Sequence, residues 1–234
     1  MRRRKGAGKY RWTPGKLLIY LLLLGFALLF AAPVLFMILT SFKIESQVWA
    51  YPIVWIPDPF TLDNYREASY YIPYAGALFN SFFIAFAAVL SQALVGSMAA
   101  YAFAFIDFRG KNALFLLILA TMMIPSYVLI IPLYLIMDKL KLLNTYFALI
   151  APAMISAFSI YLLRSFFQAI PRELDESAKI DGCNRLQTLV RIMLPLSAPA
   201  LVSMGIFVFM NQWNNFLWPL IATSSNDVRP LTVF

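Results

Sequence analysis

Five apolar runs, each long enough to cross a membrane as a helix, constrain this chain more than any other feature. A helix needs about 20 apolar residues to cross the hydrocarbon core of a bilayer. Such runs occupy residues 17–39, 80–106, 113–137, 142–163 and 196–217. The chain is 62% hydrophobic, well above the apolar fraction of an ordinary soluble domain. We therefore predict an all-α fold, a polytopic transmembrane helix bundle in which these five runs are the spans.

The distribution of Lys and Arg predicts how the bundle is oriented. Of the 19 basic residues, 14 lie in the amino-terminal segment, in the turn after the second run and in the stretch after the fourth run. Cytoplasmic loops carry the excess of basic residues in membrane proteins. We expect the basic segment 1–16 and residues 164–191 to be cytoplasmic and residues 40–79 to be outside. This arrangement explains the net charge of +8 without a nucleic-acid partner.

The predicted outer segment, residues 40–79, is rich in Trp, Tyr and Pro. Such aromatic residues are common at the level of the lipid headgroups, where an amphipathic ring is well solvated. A docking surface for an external partner protein is the second interpretation. Both interpretations place this segment at or beyond the membrane surface.

The spans lack the groups by which a carrier would couple transport to an ion gradient. Spans two to five contain no Asp, Glu, Lys or Arg between their ends, and the chain has no histidine. Intramembrane charges are the usual equipment of ion-coupled carriers. No Gly-Lys pair has the spacing of a phosphate-binding loop. We therefore expect a non-enzymatic chain without catalytic residue, metal or cofactor. The energy for transport would come from ATP bound by another subunit. An ion-coupled carrier is the less favoured alternative.

Residues 171–195 form a polar, glycine-interrupted segment within this apolar chain. We predict a helix from Pro171 to Asp181, which Gly182 ends, because glycine is a good helix stop. The second predicted helix carries an apolar stripe and ends at Pro195; the stripe consists of Leu186, Leu189, Val190 and Met193. Two short helices joined in this way could dock into a soluble subunit. The alternative is a loop lying on the bilayer, which its acidic cluster disfavours because anionic lipid would repel it; that cluster is Glu173, Asp175 and Glu176.

The same segment resembles the EAA loop of the permease subunits of binding-protein-dependent ABC importers. The family pattern is E-A-A-x3-G-x9-I-x-L-P, and Ser177 is the only departure from it. The matching residues are Glu176, Ala178, Gly182, Ile192, Leu194 and Pro195. The stretches "LLNTYFALIAPAMISAFSIYLLRSFFQAIPRELDESAKIDG" and "NQWNNFLWPLIATSS" are similar to the carbohydrate-uptake, maltose-type branch.

The resemblance implies an architecture and a set of partners. It implies a prokaryotic cell-membrane permease domain over residues 17–234, with Asp181 also in the ATPase-coupling loop. It further implies a second homologous permease subunit, two cytoplasmic ATP-binding subunits and an extracellular solute-binding protein. The family core has six spans, so a sixth is expected and the chain is interpreted as truncated at its carboxyl end.

Polar side chains within the spans are candidates for a solute pathway. One group lies in the fifth span and the other candidate, Gln92, lies in the second; the first group consists of Asn211, Gln212, Trp213, Asn214 and Asn215. Amides and an aromatic face suit a sugar, whose hydroxyls need hydrogen bonds and whose ring needs an apolar wall. Contacts between helices are the alternative role. Trp218 is assigned to the interfacial aromatic belt. A sugar or sugar-like solute is predicted, with a polyol or glycerol phosphate as alternatives.

Overall fold

The structure is a computed structural model that describes residues 14–234, and within that range it contains helices and no strand. The chain divides into two compact units, Met1–Tyr71 and Ile72–Phe234. Most of the predicted basic segment 1–16 lies outside the described residues. The two units are described separately below.

The first unit is one long helix followed by an ordered loop. Helix α1, Pro14–Thr40, contains the first predicted span, and two short helices follow it, α2 (Glu45–Val48) and α3 (Asp63–Tyr71). The amide of Asn64 donates to the carbonyls of Ser41 and Lys43 at 2.9 and 2.7 Å, which fixes the loop against the end of α1. Several large side chains of the loop are exposed, among them Trp49, Tyr51, Trp55 and Ile56.

The second unit contains one long helix and a series of broken ones. Helix α4 runs unbroken from Tyr74 to Phe105, and residues Gln92–Gly96 within it form a π-helical turn. The helices that follow are α5 (Lys111–Thr121), α6 (Ser126–Lys139), α7 (Tyr146–Ala153), α8 (Ala157–Ala169), α9 (Arg172–Ile180), α10 (Arg185–Leu196), α11 (Ala198–Trp213) and α12 (Leu217–Ala222).

Four of the five predicted spans correspond to α1, α4 and the bent pairs α5–α6 and α7–α8, and the fifth corresponds mainly to α11. Helices α1 and α4 are each long and apolar enough to cross a membrane, and the pairs α5–α6, α7–α8 and α10–α11 raise the number to as many as five. The pairs bend by 87°, 45° and 82°. This confirms the helical membrane bundle, but not the straight spans that apolar length alone suggests.

Proline accounts for two of these bends. Pro125 precedes α6, and the bend at Ser197 lies between Pro195 and Pro199. Proline lacks the N–H of a helical hydrogen bond and disfavours helical geometry in the residue before it. The fifth predicted span therefore does not run from 196 to 217: α11 ends at Trp213 and the short helix α12 continues separately.

Small residues let α4, α8 and α11 pack closely at the centre of the second unit. A Cβ added at Gly96 would lie 3.7 Å from the Cβ of Ser159 on α8, and one at Gly205 would lie 3.5 Å from Val89 on α4. Small residues at such contacts are typical of helix packing in membranes. The buried cluster around them also includes Ala88, Ala100, Ala104, Leu163, Phe167, Met193, Ala200 and Met204.

Candidate functional site

Segment 171–195 forms two helices joined at Gly182. Helix α9 begins at Arg172, one residue after the predicted Pro171, and Pro171 occupies the N-cap position. The N–H of Gly182 donates to the carbonyl of Lys179, and that of Cys183 donates to Ala178, so the helix ends in a Schellman motif. Gly182 has a φ of 80°, a left-handed backbone conformation that residues with a Cβ adopt only at a cost in free energy.

The second helix of the segment starts with a reciprocal cap. The Asn184 side chain accepts from the N–H of Gln187, and the Gln187 side chain accepts from the N–H of Asn184, both at 2.9 Å. This capping box satisfies two backbone donors that would otherwise lack partners at the start of α10. The turn between α9 and α10 is therefore defined on both sides by local hydrogen bonds.

Helix α9 has a buried face and an exposed face. Asp175 and Ala178 are buried against the bundle. The exposed face follows helical spacing and consists of Glu173, Glu176, Ser177 and Ile180, with Ile180 86% exposed. Two predicted contact residues, Glu176 and Ser177, lie on this exposed face, whereas Ala178 lies on the buried one.

A buried polar contact attaches α9 to the long helix α4. The Tyr101 hydroxyl donates to Oδ1 of Asp175 at 2.5 Å, and the Lys179 ammonium lies 2.6 Å from Oδ2. Asp175 is one of the three residues of the predicted acidic cluster, but its side chain is buried and both of its oxygens have partners within the chain. No sequence pattern indicated Tyr101, because 74 positions separate it from its partner.

Helix α10 buries only half of the predicted apolar stripe. Leu189 and Met193 pack into the core, while Leu186 and Val190 are exposed, which corrects the single stripe expected for this helix. Residues Leu189–Met193 form a π-helical turn, and its wider spacing changes which side chains face the bundle. Pro195 does not end the helix; it lies in the last turn, which extends to Leu196 before the bend.

The remaining predicted residues of the segment differ in their burial. Asp181 and Gly182 are exposed at the turn, and Pro195 is also exposed. Ile192 and Leu194 are half-buried, and Leu194 packs against the central core cluster. The segment thus presents Glu176, Asp181 and Gly182 outward while its carboxyl end is attached to the bundle.

The breaks between helices surround a cavity of about 850 Å³. Ser126 and Tyr127 line it from the start of α6, next to the break after α5, and Pro152 lines it from the end of α7. Four amide side chains line the other side, where α11 gives way to α12; they are Asn211, Gln212, Asn214 and Asn215. We call this space the amide cavity. Interrupted helices are the usual means by which membrane transporters form a solute site.

The four amides differ in their hydrogen bonding. The side chains of Asn211, Gln212 and Asn215 make no hydrogen bond to any part of the chain that the structure describes. The Asn214 amide instead donates to the carbonyl of Met210 at 2.8 Å. The amide cavity therefore combines apolar walls with free donors and acceptors, a combination that suits a polyhydroxylated ligand.

Three further residues with predicted roles make contacts within the bundle. Trp218 is buried and donates its indole N–H to the carbonyl of Ala148 at 3.0 Å, so the prediction of an interfacial belt residue is wrong. Trp213 packs against Phe82 and Phe209 and does not line the amide cavity. Gln92 is also absent from the cavity wall; buried in the bundle, it donates to the carbonyl of Ala153 at 2.7 Å and accepts from the hydroxyl of Ser159.

The broken spans and the cavity between them define a helical membrane permease. Residues 92–233 match the family described as binding-protein-dependent transport system inner membrane component. The chain belongs to this family and is a membrane permease subunit of a transport system. The resemblance proposed from the spacing of segment 171–195 is thereby confirmed.

Individual relatives cover most of the chain. It is 41% identical over 226 residues to the arabinooligosaccharides transport system permease protein AraQ of Halalkalibacterium halodurans, covering 93% of this chain and 80% of that one. It is 37% identical over 203 residues to the sulfoquinovosyl glycerol transport system permease protein SmoH of Agrobacterium fabrum, covering 86% and 71%. It is 32% identical over 220 residues to the sn-glycerol-3-phosphate transport system permease protein UgpE of Brucella abortus, covering 91% and 77%.

The fold also matches that of a solved transporter. A crystal structure of a bacterial ABC transporter involved in the import of the acidic polysaccharide alginate superposes with a TM-score of 0.81. The match covers 96% of this chain and 81% of that chain, at 24% identity. This likeness supports the arrangement of helices described above.

Proposed function

We propose that this chain forms half of the translocation pathway of an ABC importer for a sugar or sugar-like solute. A second homologous permease would complete the pathway, an extracellular binding protein would deliver the solute, and two cytoplasmic subunits would hydrolyse ATP. The chain itself would be non-catalytic. The observation that carries the proposal is the amide cavity at the helix breaks, with the free side chains of Asn211, Gln212 and Asn215.

The cavity lining favours an uncharged solute. None of its residues in the described part of the chain is Lys or Arg. A phosphorylated solute would be expected to meet a cation, because Arg and Lys are the usual partners of phosphate. An oligosaccharide or a polyol needs hydrogen-bonding amides and apolar walls, which this cavity provides. We therefore favour a neutral solute over glycerol phosphate, although one relative is named for the latter.

An uptake experiment tests the cavity. Replacing both Asn211 and Gln212 by Leu removes hydrogen bonds to the solute while keeping similar side-chain volumes. With radiolabelled oligosaccharide and the complete transporter, we expect uptake to fall at least tenfold, about 1.4 kcal/mol. Ser203→Val is the matched control, because Ser203 lies on the same helix and bonds only to the carbonyl of Pro199. Unchanged uptake in the double variant at normal membrane abundance would show that the solute does not pass the amide cavity.

Segment 171–195 is the proposed contact with the ATP-hydrolysing subunits. Its inner side is fixed to the bundle by Asp175, Ala178 and Met193. A displacement of the exposed face would therefore be transmitted to the bundle. The outer face combines two carboxylates, Glu173 and Glu176, with the large apolar side chain of Ile180. Exposed apolar anchors with a polar rim are typical of protein interfaces. This would place residues 171–195 in the cytoplasm, together with the amino terminus.

Co-purification tests this contact separately from the pathway. Ile180→Asp should reduce the amount of ATPase subunit recovered with the permease, because it puts a charge where an apolar anchor would be buried. The control is Ile56→Asp, which makes the same change at another strongly exposed isoleucine, in residues 40–79. Full recovery of the ATPase subunit with Ile180→Asp would exclude α9 as the docking helix and would leave the cavity proposal intact.

A further inference from the structure

A second cavity, distinct from the amide cavity, lies where three membrane helices end on the same side of the bundle. Its volume is about 490 Å³, and it is formed by the end of α4, the start of α5 and the end of α8 with the residues that follow. The charged and amide side chains that line it are Asp107, Lys111, Asn112, Arg164, Gln168 and Arg172. We call it the basic pocket. Of its lining residues only Arg172 belongs to segment 171–195, and Arg172 is not among the residues of the exposed α9 face proposed as the ATPase contact.

Arg164 is held in the pocket by contacts that leave its outer nitrogens free. The guanidinium stacks on the ring of Phe115 at 4.0 Å, and Nε donates to the carbonyl of Phe103 at 3.3 Å. Its two Nη atoms donate to nothing in the described part of the chain. A guanidinium fixed by stacking presents its remaining donors in a set direction, and this geometry suits the oxygens of a phosphate.

The other charges of the pocket leave an excess of positive charge. Arg172 has no hydrogen bond or ion pair with any described residue. Lys111 lies 3.2 Å from Asp107, and its side chain is only 16% exposed while that of Asp107 is 82% exposed. Three cations therefore face one carboxylate that extends into solvent. The pocket carries a net positive charge that the described part of the chain does not neutralise.

The pocket opens beside an apolar helix surface. Lys111, Leu114 and Leu117 follow one another at spacings of three along α5, so they share one side of that helix. Leu114 and Leu117 are exposed, and Phe108 is exposed in the turn before α5. A ligand with a negatively charged head and apolar chains could contact Lys111 and these leucines together. A small soluble anion would use only the charged part of the surface.

We propose that the basic pocket binds the headgroup phosphate of an anionic membrane phospholipid. Arg164 and Arg172 would bind the phosphate oxygens, Gln168 and Asn112 would bind the remaining polar atoms of the headgroup, and the acyl chains would lie along Leu114 and Leu117. Basic pockets between membrane helices are known to recognise such headgroups. The proposal needs only the membrane location of the chain, so it does not depend on the identity of the transported solute.

Native mass spectrometry of the complete, delipidated transporter tests the proposal. Phosphatidylglycerol and phosphatidylcholine would be added at equal concentrations to the wild type and to the double variant Lys111→Gln, Arg172→Gln. We expect phosphatidylglycerol to bind the wild type at least tenfold more tightly than the double variant, and phosphatidylcholine to bind both equally weakly. Arg164 is kept, because its ring contact contributes to packing.

Arg109→Gln is the matched control. Arg109 lies in the same turn, is exposed and has no partner among the described residues, but it does not line the pocket. This variant removes one positive charge near the same surface but changes no residue that lines the pocket, so it should bind phosphatidylglycerol like the wild type. The single variant Arg172→Gln loses no contact within the chain and should weaken binding by a few-fold without lowering the temperature of unfolding.

Three results would overturn the proposal. Equal lipid binding by the wild type and the double variant would exclude the pocket as the site. Displacement of the lipid by inorganic phosphate at the same concentration would assign the pocket to a soluble anion. Release of the ATPase subunits by Arg172→Gln, with lipid binding unchanged, would show that an acidic group of a partner protein fills the pocket. The first two results leave the uptake and co-purification experiments unaffected, and the third leaves the uptake experiment unaffected.

Discussion

The hydroxyl of Tyr101 donates to the carboxylate of Asp175 at 2.5 Å, and both residues are only 4% exposed. This contact joins the long membrane helix α4 to α9, the helix whose outer face we propose as the ATPase contact. Lys179 completes the arrangement by binding the other carboxylate oxygen. The charge of Asp175 is thus neutralised within the helix and its position is fixed by the bundle.

Removing the Tyr101 hydroxyl should weaken the connection between α9 and the bundle. Tyr101→Phe deletes the hydrogen bond to a buried carboxylate, which contributes about 1.5–3 kcal/mol. We expect a lower temperature of unfolding and more ATP hydrolysed per solute transported, because α9 would move with less effect on α4. Both quantities can be measured on the complete transporter in nanodiscs.

Tyr161→Phe provides the comparison for this prediction. Tyr161 lies on α8, is exposed, and its hydroxyl has no hydrogen bond in the described part of the chain. Loss of the Tyr161 hydroxyl should change neither the temperature of unfolding nor the amount of ATP hydrolysed per solute transported. If Tyr101→Phe lowers the temperature of unfolding but leaves the ratio of ATP to solute unchanged, the contact stabilises the fold without contributing to coupling.

Substitutions at Gly182 should separate backbone geometry from side-chain contact. A Cβ at Gly182 would meet nothing within 4 Å, so the constraint within this chain is its φ of 80°. Val strains this left-handed conformation by about 1–2 kcal/mol, whereas Asn adopts it more readily. We expect Gly182→Val to reduce transport several-fold and Gly182→Asn to retain most of it. Equal losses in the two variants, measured as uptake per transporter, would instead point to steric exclusion by the docked subunit.

Replacement of Gln92 tests whether it has a structural role or lies in the pathway. Gln92→Leu leaves the Ala153 carbonyl and the Ser159 hydroxyl without their partner, at about 1–3 kcal/mol for each unsatisfied group. We expect a lower temperature of unfolding and less protein in the membrane, with the KM for solute unchanged in what remains. A raised KM at normal stability would place Gln92 in the pathway.

Cysteine labelling tests the orientation of the chain. In a Cys183→Ser background, Tyr51→Cys should react with an impermeant thiol reagent added to intact cells, and Ser177→Cys should react only after permeabilisation. Both positions are exposed, so access to the side chain does not limit either reaction. Labelling of Ser177→Cys in intact cells would reverse the orientation deduced from the positions of Lys and Arg.

Those features that depend on local sequence were predictable in this protein. Apolar length predicted the helical membrane segments, of which the described residues contain up to five, because each must satisfy its own backbone hydrogen bonds within lipid. The position of Gly182 predicted the end of α9, because a left-handed cap is a local requirement that glycine meets at least cost. The spacing from Glu176 to Pro195 indicated the family by itself.

Only the tertiary structure decided which polar residues face a cavity and which are satisfied inside the bundle. Gln92 and Asn211 are both amides within predicted spans, but Gln92 has partners 61 and 67 positions away and Asn211 has none in the described chain. Trp218 and Asp175 likewise find partners 70 and 74 positions away. Such pairs depend on where the helices break and how closely they pack, and neither is encoded in the periodicity of a single segment.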